Sequence, residues 1–449
     1  MVVMSKPYFV TQDNETPTDQ NNDIEFQRKA ITVRGLSGLR NIGNTCYMNS
    51  GLQCLFATNM LTSYFINKNF VSPLKNNMID IIAHRERKRL GLPPDSEVSI
   101  KNTDLVKGVK NSVSYAYFKT VRTWLSGNHN VEPYTFKQNI GRHNTQFSDL
   151  SQNDSQELIN CVLDAIHDDL KCAVILKYSN IPKSVLMCKE TVSKIKKAIS
   201  DLSETQTNEK QELIQLFNQY VGKNIEDYTI LSAMQYWKRF IEPQHSIIRD
   251  IFTGLTNTHT CCHNCGVHSL AFEPFLMLSI AIPKSETSEK LEDALRQHTT
   301  KFELSDNNKY HCTTCNSLQS ADQRTTIWES PEILIIHLKR FSNEIIGNRC
   351  ITRRNNTKIE FPLNGLDISD YCSPYNKRDN NTYELYGIVQ QFGSLNGGHY
   401  IACCKNSIND KWYRFDDSNV THIPESDFQS HLTISNAYIL FYKRTYTLE

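Results

Sequence analysis

Cys46 stands at the head of an apolar-periodic run, directly after the polar turn that spans Asn41 to Thr45. The first N–H groups of a helix lack backbone partners and carry partial positive charge. A thiolate placed there is stabilised and becomes a usable nucleophile near neutral pH. Taken alone, a cysteine at a helix start is more often a small buried residue, so the chemistry needs a base. His399 is the candidate. It follows Gly397 and Gly398 in GSLNGGHYIACC. Two glycines let the backbone turn tightly and leave room for another chain, and the strand-like residues that follow hold the ring. Asp416 and Asp417 end the next strand-like segment, WYRFDD, where a carboxylate can orient an imidazole and stabilise its charged form. The order along the chain is thiol, imidazole, acid.

A second constellation is built of cysteines alone. Cys262-His-Asn-Cys265 and Cys312-Thr-Thr-Cys315 are two Cys-x-x-Cys pairs, and a tetrahedral metal such as zinc wants four soft ligands. The gap between the pairs is longer than in a compact ribbon, so spacing alone leaves the metal open. Cys261, His263, His268 and His311 are nearby alternatives. Four protein ligands leave no open position, which makes the expected role structural.

The elements that must position these groups are legible in outline. Met48, Leu52, Leu55 and Phe56 follow Cys46 at helical spacing. In NDSQELINCVLDAIHDDL, Leu158, Val162, Ala165, Ile166 and Leu170 form one stripe, with Asn153 or Asp154 as the cap. Residues 172–228 are rich in Lys, Glu, Gln and Ser and read as an insertion, helical or partly disordered, without chemistry of its own. Later the texture changes to strand-like runs such as FEPFLMLSIAIP and PEILIIHLKRF, with a short helix at SEKLEDALRQHT between them and further short β segments up to AYILFYKR. The fold class is α+β, helices early and an antiparallel sheet late. Residues 1–34 read as a disordered tail, TQDNETPTDQNND being almost without apolar side chains. The length of 449 residues allows two or three domains. With 49 basic and 48 acidic side chains the chain lacks the charge of a nucleic-acid binder. No apolar run reaches the ~20 residues that span a bilayer, and the start has no signal-peptide pattern. The 14 cysteines of such a chain are expected to be free, metal-bound or catalytic, in an intracellular protein of the cytoplasm or nucleus.

Two long stretches resemble one known family. GLRNIGNTCYMNSGLQCL is similar to the Cys box of the ubiquitin-specific proteases, and YELYGIVQQFGSLNGGHYIACCKN with KWYRFDDSNV to their His box. The intervening blocks follow in the family's order, over roughly residues 35–447 apart from the insertion. The resemblance implies a papain-like fold with thumb (about 35–171), fingers (about 246–330) and palm (mainly 331–447). It implies hydrolysis of the bond after the C-terminal glycine of ubiquitin, with ubiquitin and ubiquitinated proteins as partners and neither nucleic acid nor membrane. Cys46 matches the nucleophile, His399 the general base, Asp416 the acid that orients it, and Asn41 the side chain that helps hold the oxyanion. Asp417 matches a second acid that some members use. Asp154 and Glu157 match positions that meet arginines of the ubiquitin tail, although such carboxylates also cap helices. Gln53 matches a position near the substrate backbone. Gly397 and Gly398 suit a narrow channel for a Gly-Gly tail. The family's fingers often carry zinc where Cys262, Cys265, Cys312 and Cys315 stand. The chain departs at Gly51, where many members have a larger residue, and at Asn396, where a further glycine is common. Two alternatives share the same boxes: a hydrolase of a ubiquitin-like modifier and a ubiquitin-binding pseudo-enzyme.

Overall fold

The computed structural model describes residues 8–10 and 34–446, apart from 128–129, 204, 284, 286, 347–348, 377–379, 395–396 and 428–435. Cys46–Phe56 is a helix, and every residue of it is buried. A helix hidden on all sides must look to the core for partners to its polar side chains, and the Gln53 amide finds both: it donates to the Ser37 carbonyl and accepts from the Trp124 indole. Ser155–Leu170 is the second helix anticipated from the stripe, capped by Asp154, whose carboxylate accepts from the Gln156 N–H. The two helices pack on each other, and Gly51 lies at their crossing. A Cβ on Gly51 would sit 2.9 Å from Ile159 Cγ1 and 3.4 Å from Ser155 Oγ. The small residue is therefore a packing requirement that outweighs its helix penalty of about 1 kcal/mol. Gly51→Val should lower the unfolding midpoint through an overpacking cost of about 1–3 kcal/mol. Thermal unfolding measures it, and an unchanged midpoint would mean the helices part freely.

The late part of the chain forms an eight-stranded sheet. Its main path runs Asn419–Ile423, Trp412–Asp416, His399–Lys405, Thr382–Phe392, Ala437–Arg444, Ile333–Lys339 and Leu278–Ala281, with Leu366–Asp367 pairing beside Thr382–Phe392. The strands are antiparallel except the last pair: Leu278–Ala281 lies parallel to Ile333–Lys339 at the edge of the sheet. Alternation along Ile333–Lys339 feeds two cores. Ile333 and Ile335 face the helices, whereas Leu334, Ile336 and Leu338 join a second cluster beneath the helix Leu291–Thr299.

A four-stranded extension, ordered His268–Phe275, Gly254–Cys262, Ala321–Glu329 and Phe302–Leu304, projects the cysteine pairs. The insertion is ordered and longer than anticipated. Helices Lys183–Asp201, Thr207–Lys223 and Ile225–Ile241 carry it beyond residue 228. Val185, Cys188, Val192, Ile230 and Met234 form a core with Leu255, Phe272 and Trp328 of the extension. Helical stripes were present in the sequence, diluted by charged residues, and the sheet supplies the apolar partner they needed. Tyr8–Val10 also departs from the structureless tail expected: these β-prone residues pair antiparallel with Ile175–Lys177. The remaining residues of that tail before Arg34 lie outside the described residues. Among the described residues, no helix is long and apolar enough to cross a membrane.

Candidate active site

The turn before Cys46 is left-handed at Gly43 and Asn44, with φ of 119° and 49°. Glycine and asparagine tolerate that conformation best. The Asn41 side-chain carbonyl ties the turn together by accepting from the N–H groups of Gly43 and Thr45 at 3.1 and 3.0 Å. The chain thus enters the helix with Cys46 as its first residue. This helix lies against the strand His399–Lys405, bringing His399 to the thiol.

His399 opens its strand and Asp416 ends the antiparallel neighbour, so head and tail lie side by side. His399 Nε2 meets Asp416 Oδ1 at 2.7 Å. The other Asp416 oxygen accepts from Arg414 at 3.0 Å. With Nε2 engaged, Nδ1 is the nitrogen for Cys46. Contact with the Cys46 thiol raises the imidazole to about 9; burial opposes this and Asp416 reinforces it. The ring is therefore protonated through neutral pH.

Asp417, with φ of 52°, turns its carboxylate towards the helix. It accepts from Asn41 Nδ2 at 3.0 Å and from Asn49 Nδ2 at 2.8 Å, and its backbone carbonyl accepts from the Leu39 N–H. Asp417 thereby clamps the turn before Cys46 to the end of the Asp416 strand. An amide nitrogen carries two hydrogens, so Asn41 has a second N–H besides the one given to Asp417.

Gln152 was not singled out by sequence reasoning. Its amide donates to the Gly398 carbonyl and lies 3.9 Å from Cys46 Sγ, covering a thiol that is only 2% exposed. Nothing marks it in the sequence, because a polar residue ahead of a helix cap is ordinary. Gly398 is required for another reason. A Cβ there would lie 2.2 Å from the Phe392 carbonyl oxygen, so the strand could not return this closely with any other residue. Asn396 lies outside the described residues.

Cys46, His399, Asp416 and Asn41 are brought together. Asp154 and Glu157 sit at the head of the neighbouring helix with different surroundings. Asp154 is mostly buried and accepts from Tyr438 as well as from the Gln156 N–H, and burial raises its carboxyl. Glu157 is exposed, with Gln146 as its donor. Gln53 is a correction. It is 1% exposed and both ends of its amide are bonded within the core, so it braces the catalytic helix and does not reach a substrate.

The four cysteines of the extension converge. Cys262 and Cys315 Sγ are 4.0 Å apart, Cys265 and Cys312 Sγ 3.5 Å, and all four lie within 4.8 Å of one another. A tetrahedron with metal–sulfur bonds of about 2.3 Å has edges of roughly 3.8 Å, so the donor set fits one metal ion. Each second cysteine precedes a left-handed residue, Gly266 at φ 65° and Asn316 at φ 50°, which reverses the chain around the sulfurs.

A family model described as ubiquitin carboxyl-terminal hydrolase matches residues 37–442. The chain is 30% identical over 419 residues to ubiquitin carboxyl-terminal hydrolase 2 of Gallus gallus, covering 93% of this chain and 95% of that protein. It is 29% identical over 415 residues to the protein of that name in Homo sapiens, covering 92% of this chain and 56% of the relative. The chain thus spans about half the length of the mammalian relatives it matches. A solved structure of the SAGA Ubp8/Sgf11/Sus1/Sgf73 DUB module bound to ubiquitin aldehyde has the same fold, with a TM-score of 0.59 at 24% identity over 93% of this chain and 71% of that one.

Proposed function

The chain belongs to the ubiquitin carboxyl-terminal hydrolase family, and on that footing we propose that it is a thiol-dependent hydrolase of the bond after the C-terminal glycine of ubiquitin, in conjugated proteins or chains. The observation that carries this reading is the Cys46 thiol at the head of a buried helix, facing a His399 imidazole that Asp416 holds at 2.7 Å. The Cys46 sulfur attacks the glycine carbonyl carbon. The oxyanion draws on the second Asn41 N–H and on the positive end of the helix. Protonated His399 gives its proton to the departing amine, the C–N bond breaks, and a thioester remains. Water then attacks the thioester while His399 takes its proton, and the carboxylate leaves with the thiol restored.

Gln152 must move from the gap between Cys46 and Gly398 for a substrate tail to enter beside Gly397 and Gly398. Glu157, exposed at the edge of that path, is the stronger candidate for an arginine of the tail; Asp154 serves first as a cap. In the family's terms the early helices form the thumb, the extension the fingers and the main sheet the palm. The reading puts the enzyme in the reducing interior of the cell, cytoplasm or nucleus, where thiols persist. The test is a fluorogenic amide on the C-terminus of ubiquitin, run beside the same group on ubiquitin-like modifiers. Turnover of the ubiquitin substrate is expected. Turnover of a ubiquitin-like substrate alone, or binding without turnover, overturns the reading.

The metal is zinc in this reading, held by Cys262, Cys265, Cys312 and Cys315 in a structural role. Cys312→Ser should reduce zinc from one per chain to well below it and weaken ubiquitin binding, while Cys46 keeps its reactivity towards a small alkylating agent. Elemental analysis of wild type and variant decides. A metal-free wild type, purified without chelator and fully active, would show that packing alone holds the fingers.

A further inference from the structure

We propose that Cys172 is a second activated thiol, a modification site that reacts with hydroperoxides and then with small thiols, served by His245 and Asp250. The groups lie at the base of the inserted helices. Cys172 and His245 are directly opposite in an antiparallel bridge, each backbone N–H donating to the other's carbonyl at 2.9 Å. Residues so paired project their side chains to the same face, which pins the thiol beside the ring. His245 Nε2 meets Asp250 Oδ1 at 2.8 Å, and the ring also hydrogen-bonds the Cys172 side chain. The row Cys172, His245, Asp250 thus repeats the order of groups at Cys46, His399 and Asp416, on different elements.

The two rows differ in access. Cys46 is buried under Gln152, whereas Cys172 is exposed. Burial lowers the His245 imidazole, but the hydrogen bonds to Asp250 and to the Cys172 thiol outweigh it and bring the ring to about 9. The ring is then an imidazolium at neutral pH and sets a cation beside the sulfur. Tyr64, from the helix Asn59–Ile66, is a further titratable neighbour; burial pushes its phenol up to about 12, so it stays neutral. Lys171 is paired with Asp168.

The chemistry balances. The thiolate attacks the terminal oxygen of a hydroperoxide, forming an S–O bond as the O–O bond breaks. His245 protonates the departing oxygen, which leaves as water or alcohol. Sulfur is oxidised by two electrons and the peroxide reduced. A small thiol then attacks the sulfenic sulfur, an S–S bond forms, and water leaves. The adduct sits on the joint from which the three helices depart.

The test uses the full chain and peptide mapping by mass spectrometry. At pH 7, Cys172 should alkylate with iodoacetamide at least tenfold faster than N-acetylcysteine, and at least tenfold faster than in His245→Gln. After a brief hydrogen peroxide pulse, dimedone should label Cys172 in the wild type and not in His245→Gln. Equal alkylation rates of Cys172 and N-acetylcysteine in the wild type, or no dimedone on Cys172, overturn the proposal. Those wild-type arms are decisive even where His245→Gln fails to fold, and Asp250→Asn, which keeps the ring, should show an intermediate rate.

Discussion

Cys46→Ala should abolish turnover of a ubiquitin C-terminal amide, a loss on the order of 10⁴-fold or more in kcat, with ubiquitin affinity largely kept. The scale follows from removing the only atom that forms the covalent intermediate. Binding is spared because the fingers and palm offer most of the contact surface in this reading, and because alanine fits the first turn of the helix without disturbing the Asn41 turn. Steady-state kinetics and a ubiquitin titration on the same preparation give both numbers. Normal turnover by the variant would remove Cys46 from the mechanism.

The second large effect distinguishes two adjacent acids. Asp416 touches the His399 ring, whereas Asp417 touches Asn41 and Asn49. Asp416→Ala leaves the imidazole free to rotate and its cation unsupported, so kcat/KM should fall by about 10²- to 10⁴-fold with little change in unfolding midpoint. Asp417→Ala should cost less in kcat/KM. It should cost more in stability, since the buried Asn49 amide loses an acceptor, at about 1–3 kcal/mol. The pH profile separates positioning from structural damage. A ring raised to about 9 keeps its proton below that value and loses it above, so the wild-type rate should fall on a basic limb near pH 9. Asp416 helps raise the ring, and Asp416→Asn should move that limb to lower pH, which a merely destabilised protein would not do. A larger loss of kcat/KM at Asp417 would transfer the orienting role to that residue.

The parts of the site that were readable in advance are those whose signal is local. Cys46 carries its turn and its helix within a dozen residues, and Gly397-Gly398-His399 carries its approach and its strand. Asp154 could be recognised as a cap for the same reason. Gln53 could not be read correctly, because its partners, Ser37 and Trp124, come from other segments and a helical glutamine looks alike whether it faces solvent or core. Gln152 and Asp417 have the same difficulty: each acts through a contact with a residue more than 200 positions away. The strands of the palm were visible from their apolar runs, but their order was not, since pairing depends on long-range register. The insertion read only as helical or partly disordered because its stripe at Val185, Cys188 and Val192 is short and set among lysines, and its stabilising partner is the Phe272 and Trp328 face of a sheet made later in the chain.

The place of Ala437–Arg444 in the sheet bears on the birth of the protein. This strand lies in the middle, between Thr382–Phe392 and Ile333–Lys339, although it follows every strand it touches. During synthesis, which proceeds at about 5–20 residues per second, the helical lobe with Cys46 emerges long before the sheet can close. Until residue 444 has left the ribosome, the strand that carries His399 rests on a sheet split down its centre, with two unpaired edges exposed. The strand pair that carries His399 therefore gains its central support only once the chain has emerged as far as residue 444. The palm is thus the last of these layers to be completed, and until then its open strand edges are where mispairing is easiest.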